Sequence, residues 1–300
     1  MNASPIFEHF DLNNEPAYAQ WREWKIAAYP KQLSDLIVEI DHPDRLSASE
    51  KAALQLHLDR HNMVIYRSLD VAESPKIPLQ ICARFGLKTL DGNIGADQGV
   101  TSIEVKATGR HGRYIPYTSN KLSWHTDGYY NRLDKQIRAM VLHCVRPAKM
   151  GGENDLIDPE MAYIYLRDLD PEFITALSQA DVMTIPANEL EGKVLRSEQT
   201  GPVFSFDAQG YLHMRYSARK RNIIWKDAPK VTEAAVALAG FCEQDARWRL
   251  SGALAPGEGL ICNNVLHNRR AFEEDEAEPR LLYRLRYYER IQTQDHILRA

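Results

Sequence analysis

Cysteine is scarce in this chain: four residues, at 82, 144, 242 and 262, are spread over 300 positions without the close spacing of a metal-binding cluster. Two lie in apolar strand-like runs, so reduced core thiols are expected rather than disulfides. Long hydrophobic runs are absent, which excludes a helical membrane span. The opening Met-Asn-Ala-Ser-Pro-Ile-Phe-Glu-His-Phe has no basic region followed by an apolar stretch, so the expected location is the cytoplasm. An excess of positive charge is missing too: the net charge of -4 gives no electrostatic reason to expect nucleic acid or a membrane surface as partner. There is no internal repeat, low-complexity segment or obvious linker. A chain that is 44% hydrophobic and 26% charged can bury a large core. One elaborated domain over residues 1–300 is expected, and a homo-oligomer stays open because apolar helical stripes could pack on the core or on a second copy.

Helical spacing occurs over 15–40 and 48–62, the latter opening on Ser47-Ala-Ser-Glu50, a capping-box pattern. Residues 158–180 read as helix from Asp158-Pro159, and 229–248 as another with Pro229 in its first turn. Val64-Ile-Tyr66 and the run from Ile137 to Val145 read as strands, and strands and turns dominate from there to residue 290. N-terminal helices over about 15–62, a helical insertion over about 158–250 mixed with strands, and short strands elsewhere predict a mainly β fold, closed or sandwiched, with helices outside.

The most informative stretch is His125-Thr126-Asp127, followed much later by His267 in Asn-Asn-Val-Leu-His-Asn. Residues two apart on an extended strand share a face. His125 and Asp127 could therefore grip one ion while His267 arrives from another strand. A two-histidine, one-carboxylate set leaves the opposite coordination positions open, the signature of non-haem iron(II) oxygenases that bind a co-substrate and O₂ together. By itself His-x-Asp is a weak signal among ten histidines and 41 acidic residues. Its context strengthens it. In the strand that follows His267, Arg280, Leu282, Arg284 and Arg286 share one face, and Leu281, Tyr283, Leu285 and Tyr287 the other. Such arginines are ordinarily the solvated side of an edge strand, but guanidinium is also the group that clamps a carboxylate through two parallel hydrogen bonds.

With Trp-His125-Thr-Asp127, the turn Gly151-Gly152-Glu153-Asn154, His267, and the Arg280 and Arg284 pair, the chain resembles the taurine dioxygenase-like (TauD/TfdA) family of iron(II)/2-oxoglutarate-dependent oxygenases. The resemblance implies a double-stranded β-helix (jelly-roll, clavaminate synthase-like) core and iron(II) held by His125, Asp127 and His267. It implies 2-oxoglutarate bound through its distal carboxylate by Arg280, with O₂ as the second co-substrate. Asn154 stands where many members have a threonine that helps hold that carboxylate, and its amide can still donate. Arg284 sits where some members use a second arginine for 2-oxoglutarate or an acidic substrate. The implied reaction hydroxylates an unactivated C–H bond of a small anionic or amino-acid-like substrate, releasing succinate and CO₂. An Asp at 127, where related halogenases have Ala or Gly, favours hydroxylation over halogenation.

Arg215 and Tyr216 fall where related enzymes place substrate contacts, and Tyr129 and Tyr130 could form an aromatic wall beside the first motif. Each has a plain structural alternative, a solvated basic run through Arg219, Lys220 and Arg221 in the first case and core packing in the second. His143 is a rival ligand, but its apolar setting suits a hydrogen-bonded core histidine better. Two other classes stay open. A zinc hydrolase or lyase could use the same triad, although no general base neighbours it and the two arginines would have no role. A non-catalytic jelly-roll binding protein would leave an intact triad unexplained.

Overall fold

The computed structural model describes residues 7–92, 96–97, 99–105, 115–219, 223–275 and 277–292. Its centre is a seven-stranded sheet ordered Ile37–Ile40, Met63–Ser68, Glu258–Cys262, Ala139–Arg146, Leu281–Tyr287, Val100–Ile103 and Ala96–Asp97. A four-stranded sheet ordered Leu250–Gly252, Asn154–Ile157, Leu266–Arg269 and Leu122–His125 accompanies it. Pairing is antiparallel except between Ile37–Ile40 and Met63–Ser68, which are parallel and joined through helix α2 (Ala48–His61).

Alternation builds the core. In Met63–Ser68, Met63 and Ile65 face one apolar cluster while Val64 and Tyr66 face another; Met140, Leu142 and Cys144 are likewise opposed to Ala139, Val141 and Val145. Strands buried on both faces lose the polar-out pattern of a solvated sheet. The outer cluster is closed by α2 and α3 (Lys76–Ala83) through Leu54, Leu58, Ile77 and Ile81. The inner cluster lies between the sheets and is extended by α4 (Pro159–Leu169), α5 (Pro171–Leu177) and α6 (Pro229–Gln244).

Helix boundaries follow local chemistry. The Ser47–Glu50 capping box forms as expected, and α2 ends on Asn62 in the left-handed conformation. The expected 15–40 helix is shorter: α1 spans Glu15–Ala27, after which the chain turns through a 3₁₀ segment, Leu33–Leu36, into the Ile37–Ile40 strand. The expected 158–180 helix is two helices, because Asp170 ends α4 and caps α5, and Pro171 has no N–H with which to continue the first. Helix α1 docks on α4 through Lys25, wholly buried, with Nζ 2.7 Å from Asp158 and also in contact with Glu160. No described helix is long and apolar enough to cross a membrane, and all four cysteines are buried and free.

Candidate active site

The two histidines meet across the smaller sheet. His267 on Leu266–Arg269 is in register with His125 on Leu122–His125, and their ring centroids are 4.2 Å apart. Each ring is turned by its own backbone: Nδ1 of His125 lies 2.9 Å from the Ser123 carbonyl and Nδ1 of His267 2.9 Å from that of Val265. With Nδ1–H donated to a carbonyl, Nε2 is the nitrogen left to bind a metal. The strand ends at His125, and Asp127 sits on the turn beyond, with Oδ1 3.6 Å from His125 Nε2. The shared face thus owes its last member to a pinned turn rather than to strand pleat. Gly128 follows with φ +67°, and a Cβ there would collide with Ile137 Cγ1, so glycine is required on both counts.

The potential ligand atoms of His125, Asp127 and His267 all lie within 4.8 Å of one another, the one such trio among the described residues. All three side chains are buried, and Asp127 Oδ2 has no hydrogen-bond partner among the described residues. A buried carboxylate oxygen left without a partner costs free energy unless a cation takes it, so the trio fits a metal ion. Burial, the largest influence on Asp127, works against ionisation; the Arg284 guanidinium, a hydrogen bond with His125, Arg286 and His267 outweigh it and hold the carboxyl well below its usual range. Burial, with His125 adding to it, pushes His267 down to about 4. His267 and the Asp127 carboxylate are thereby suited to ligation at neutral pH.

A cavity of about 980 Å³ opens beside the trio, lined by His125, Asp127, Tyr129, Tyr130, Ser217, Arg284 and Arg286 on its inner side. Arg284 approaches Asp127 Oδ1 to 3.6 Å through Nη1, and its buried Nε has no hydrogen-bond partner among the described residues. Arg286, on the same face, is tied to Asp91 and donates to the Tyr130 hydroxyl at 2.9 Å, while Tyr288 also donates to Asp91, at 2.6 Å. Of the arginine face, Arg284 and Arg286 therefore point into the cavity. Arg280 is buried as well, its guanidinium 4.9 Å from the Phe272 ring centre, but it lies outside the lining of this cavity. Asn154 donates one amide hydrogen to the Asn268 carbonyl at 2.7 Å and is also outside the lining. Tyr129 meets the His125 ring edge-on at 6.3 Å and the Tyr130 ring at 5.1 Å, and both tyrosines line the cavity.

Two expected substrate contacts are corrected. Arg215 turns away from the cavity and donates to four backbone carbonyls, those of Tyr129, Met183, Gly201 and Gln199, at 2.8–3.2 Å. Burial, then Arg196 nearby, pushes its pKa down to about 10. Tyr216 is packed in the inner core, and its backbone binds Thr126 on both sides, so this segment extends the sheet edge beside His125. The neighbouring Ser217 and Arg219 reach the cavity instead, while Lys220 and Arg221 lie outside the described residues. His143 is buried against Tyr66, 2.9 Å from its hydroxyl, on the opposite face of its strand from the trio. Sequence reasoning missed Arg196, Asp91 and Tyr288 as lining residues. Arg286 was on the right face by period two and could have been included. Arg196 carried no signal, since it reaches the cavity from an exposed two-stranded hairpin, Asn188–Leu190 with Lys193–Arg196.

Residues 27–286 match the family model described as Taurine catabolism dioxygenase TauD, TfdA family. The chain belongs to this family. It is accordingly a 2-oxoglutarate-dependent non-haem iron dioxygenase, with iron(II) as cofactor and 2-oxoglutarate as co-substrate. The trio alone would also accept zinc; membership of the TauD/TfdA family decides for iron. Among curated relatives, a uridine-5'-phosphate dioxygenase of Amycolatopsis sp is 30% identical over 198 residues, covering 63% of this chain and 68% of that protein. A second, of Streptomyces sp, is 30% identical over 195 residues, covering 62% and 67%. Among solved structures, the non-heme iron oxygenase OrfP in complex with iron, succinate and (3R,4R)-dihydroxy-L-arginine superposes with a TM-score of 0.61 at 17% identity, over 91% of this chain and 92% of that one. An asparagine oxygenase in complex with Fe(II), 3-hydroxyasparagine and succinate gives 0.58 at 15% identity over 91% and 90%. These two likenesses concern the fold, and they agree with the expected jelly-roll core carrying helices.

Proposed function

We propose that this TauD/TfdA member oxidises a C–H bond of a small anionic substrate, with His125, Asp127 and His267 as the iron ligands. The observation that carries the reading is the buried trio, with its partnerless Asp127 oxygen, beside a large cavity into which Arg284 brings a cation. Iron(II) with 2-oxoglutarate and O₂ supplies an oxidation in which one oxygen atom enters the substrate C–H bond and the other appears in succinate, with loss of CO₂. The protein's part is to bind, orient and exclude water. Arg280, its buried guanidinium without a protein hydrogen bond among the described residues, is the proposed holder of the distal carboxylate, with Asn154 beside the same end. Arg284 orients either that carboxylate or the substrate. Tyr129 and Tyr130 wall the substrate in. The whole chain is read as one catalytic domain acting in the cytoplasm.

Charge balance supports the anionic half of the expected substrate range. Six cations line the cavity, Arg132, Lys135, Arg196, Arg219, Arg284 and Arg286, against two carboxylates, Asp91 and Asp127. Asp91 is engaged by Arg286 and Tyr288, and Asp127 is assigned to the metal. No described lining carboxylate is left to receive a substrate ammonium or guanidinium, which an amino acid such as arginine would need. A phosphate ester fits better, and uridine-5'-phosphate is the first compound to test because the curated relatives are named for it.

The test has two stages. Anaerobic titration of metal-free protein with iron(II) and then 2-oxoglutarate should give a weak visible charge-transfer band, with much lower 2-oxoglutarate affinity in Arg280→Ala; no band despite bound metal would overturn the assignment. Succinate release should then rise with uridine-5'-phosphate more than with uridine, L-arginine or L-asparagine. Stimulation by the amino acids alone would overturn the anionic reading while leaving the oxygenase intact.

A further inference from the structure

Asn264, three residues before His267, is buried, has φ +52°, and spends its entire amide on one segment of the chain. Its Oδ1 accepts the backbone N–H of Asp127 at 2.8 Å. Its Nδ2 donates to the Asp127 carbonyl at 2.9 Å and to the Ile137 carbonyl at 2.7 Å. The first two bonds hold the peptide groups on either side of the Asp127 Cα. Fixing both fixes φ and ψ of Asp127, and so the direction in which its carboxylate leaves the backbone. The third bond ties down Ile137, where the loop after the trio returns to the Ala139–Arg146 strand and against which Gly128 is packed.

The same short loop turns His267. Val265, next to Asn264, supplies the carbonyl that accepts from His267 Nδ1, at 2.9 Å. One three-residue stretch between Glu258–Cys262 and Leu266–Arg269 therefore sets the ring of one ligand and the backbone of another. Asparagine suits the position on two grounds at once. It tolerates the left-handed backbone better than most other non-glycine residues, and its amide offers an acceptor and two donors in one plane.

We propose that Asn264 is the positioning residue that sets the Asp127 carboxylate relative to His267, acting on metal affinity and coordination geometry rather than on substrate. The inference rests on the reading of His125, Asp127 and His267 as ligands. Asp in its place would turn both donors into an acceptor facing carbonyl oxygens, while glycine would accept the backbone and remove only the amide.

The test compares Asn264→Gly with Asn263→Ala. Asn263 is also buried, but its amide is directed to Asn62 and Ile291, away from the trio. Cobalt(II) serves as the probe metal, its visible bands reporting coordination and its titration the affinity. Asn264→Gly should bind cobalt(II) roughly 10- to 100-fold more weakly, the range for losing a group that orients a metal ligand, and with altered bands. Asn263→Ala should lower thermal stability yet bind cobalt(II) as the wild type does. If Asn264→Gly does not fold, Asn264→Ser, which keeps an acceptor near the Asp127 amide, is read in its place. Equal affinity and unchanged bands in the Asn264 variant would overturn the proposal. Failure of the wild type itself to bind cobalt(II) or iron(II) would instead sink the ligand assignment, and the proposal with it.

Discussion

Arg215 separates two readings of the same residue, because a substrate contact and a buried brace respond differently to substitution. In Arg215→Met the side-chain volume is nearly kept and four hydrogen bonds to backbone carbonyls are lost. The contacts to Met183 and Gly201 are buried, so those carbonyls lose a partner without gaining water; those to Tyr129 and Gln199 are partly open and can be rehydrated. At about 1–3 kcal/mol for each buried loss and less for the others, offset in part by relief of burying a charge, the cost is about 3–5 kcal/mol. For a chain of this size that corresponds to a fall in Tm of about 5–8 °C. Thermal unfolding of metal-loaded protein, followed by circular dichroism, measures it. KM should change only through the wall residues Tyr129 and Gln199, whose backbones Arg215 holds. An unchanged Tm with a collapse of kcat/KM would refute the brace and restore the substrate contact.

Arg284→Met should show the reverse behaviour in metal-loaded protein: kcat/KM falls at least tenfold while Tm shifts little, since the guanidinium makes no hydrogen bond among the described residues; a large loss of Tm would count against a ligand-facing role. Gly128→Ala should destabilise by about 1–3 kcal/mol and weaken metal binding, because the new Cβ meets Ile137 in a backbone conformation that alanine disfavours; a variant matching wild type in Tm and iron(II) titration would show that the turn adapts. Lys25→Met should cost about 3–5 kcal/mol by leaving Asp158 and Glu160 buried without their cation, read as a lower urea midpoint. Burial above all holds His9 and His143 down to about 4 and His61 to about 3, so each is neutral in the fold and protonates more readily unfolded. The unfolded chain then binds more protons below pH 6.5, and stability should fall as pH drops from about 6.5 toward 4, by about 1.4 kcal/mol per pH unit for each group. A flat stability between those values in urea titrations would refute the buried-neutral assignment.

What could be read in advance divides along the range of the forces involved. Strand alternation is local, so Leu281, Tyr283, Leu285 and Tyr287 were legible as the packing face and Arg284 and Arg286 as the other. The trio proposed as metal ligands was legible because metal coordination restricts residue type so strongly that three positions stand out against the rest of the chain. Arg215 was misread because nothing local distinguishes an arginine facing a cavity from one facing four carbonyls; the carbonyls come from Tyr129, Met183, Gln199 and Gly201, brought together only by tertiary folding. Asn264 was visible within the second histidine motif, but its role depends on a turn far away in sequence, after His125. The break between α4 and α5 was within reach, since Asp170-Pro171 is both a stop and a cap. Residues whose partners are backbone atoms of distant segments are the ones a single sequence conceals. In this fold they are the groups that shape the cavity wall and brace the Asp127 turn, while the groups proposed to meet metal and co-substrate announce themselves by type.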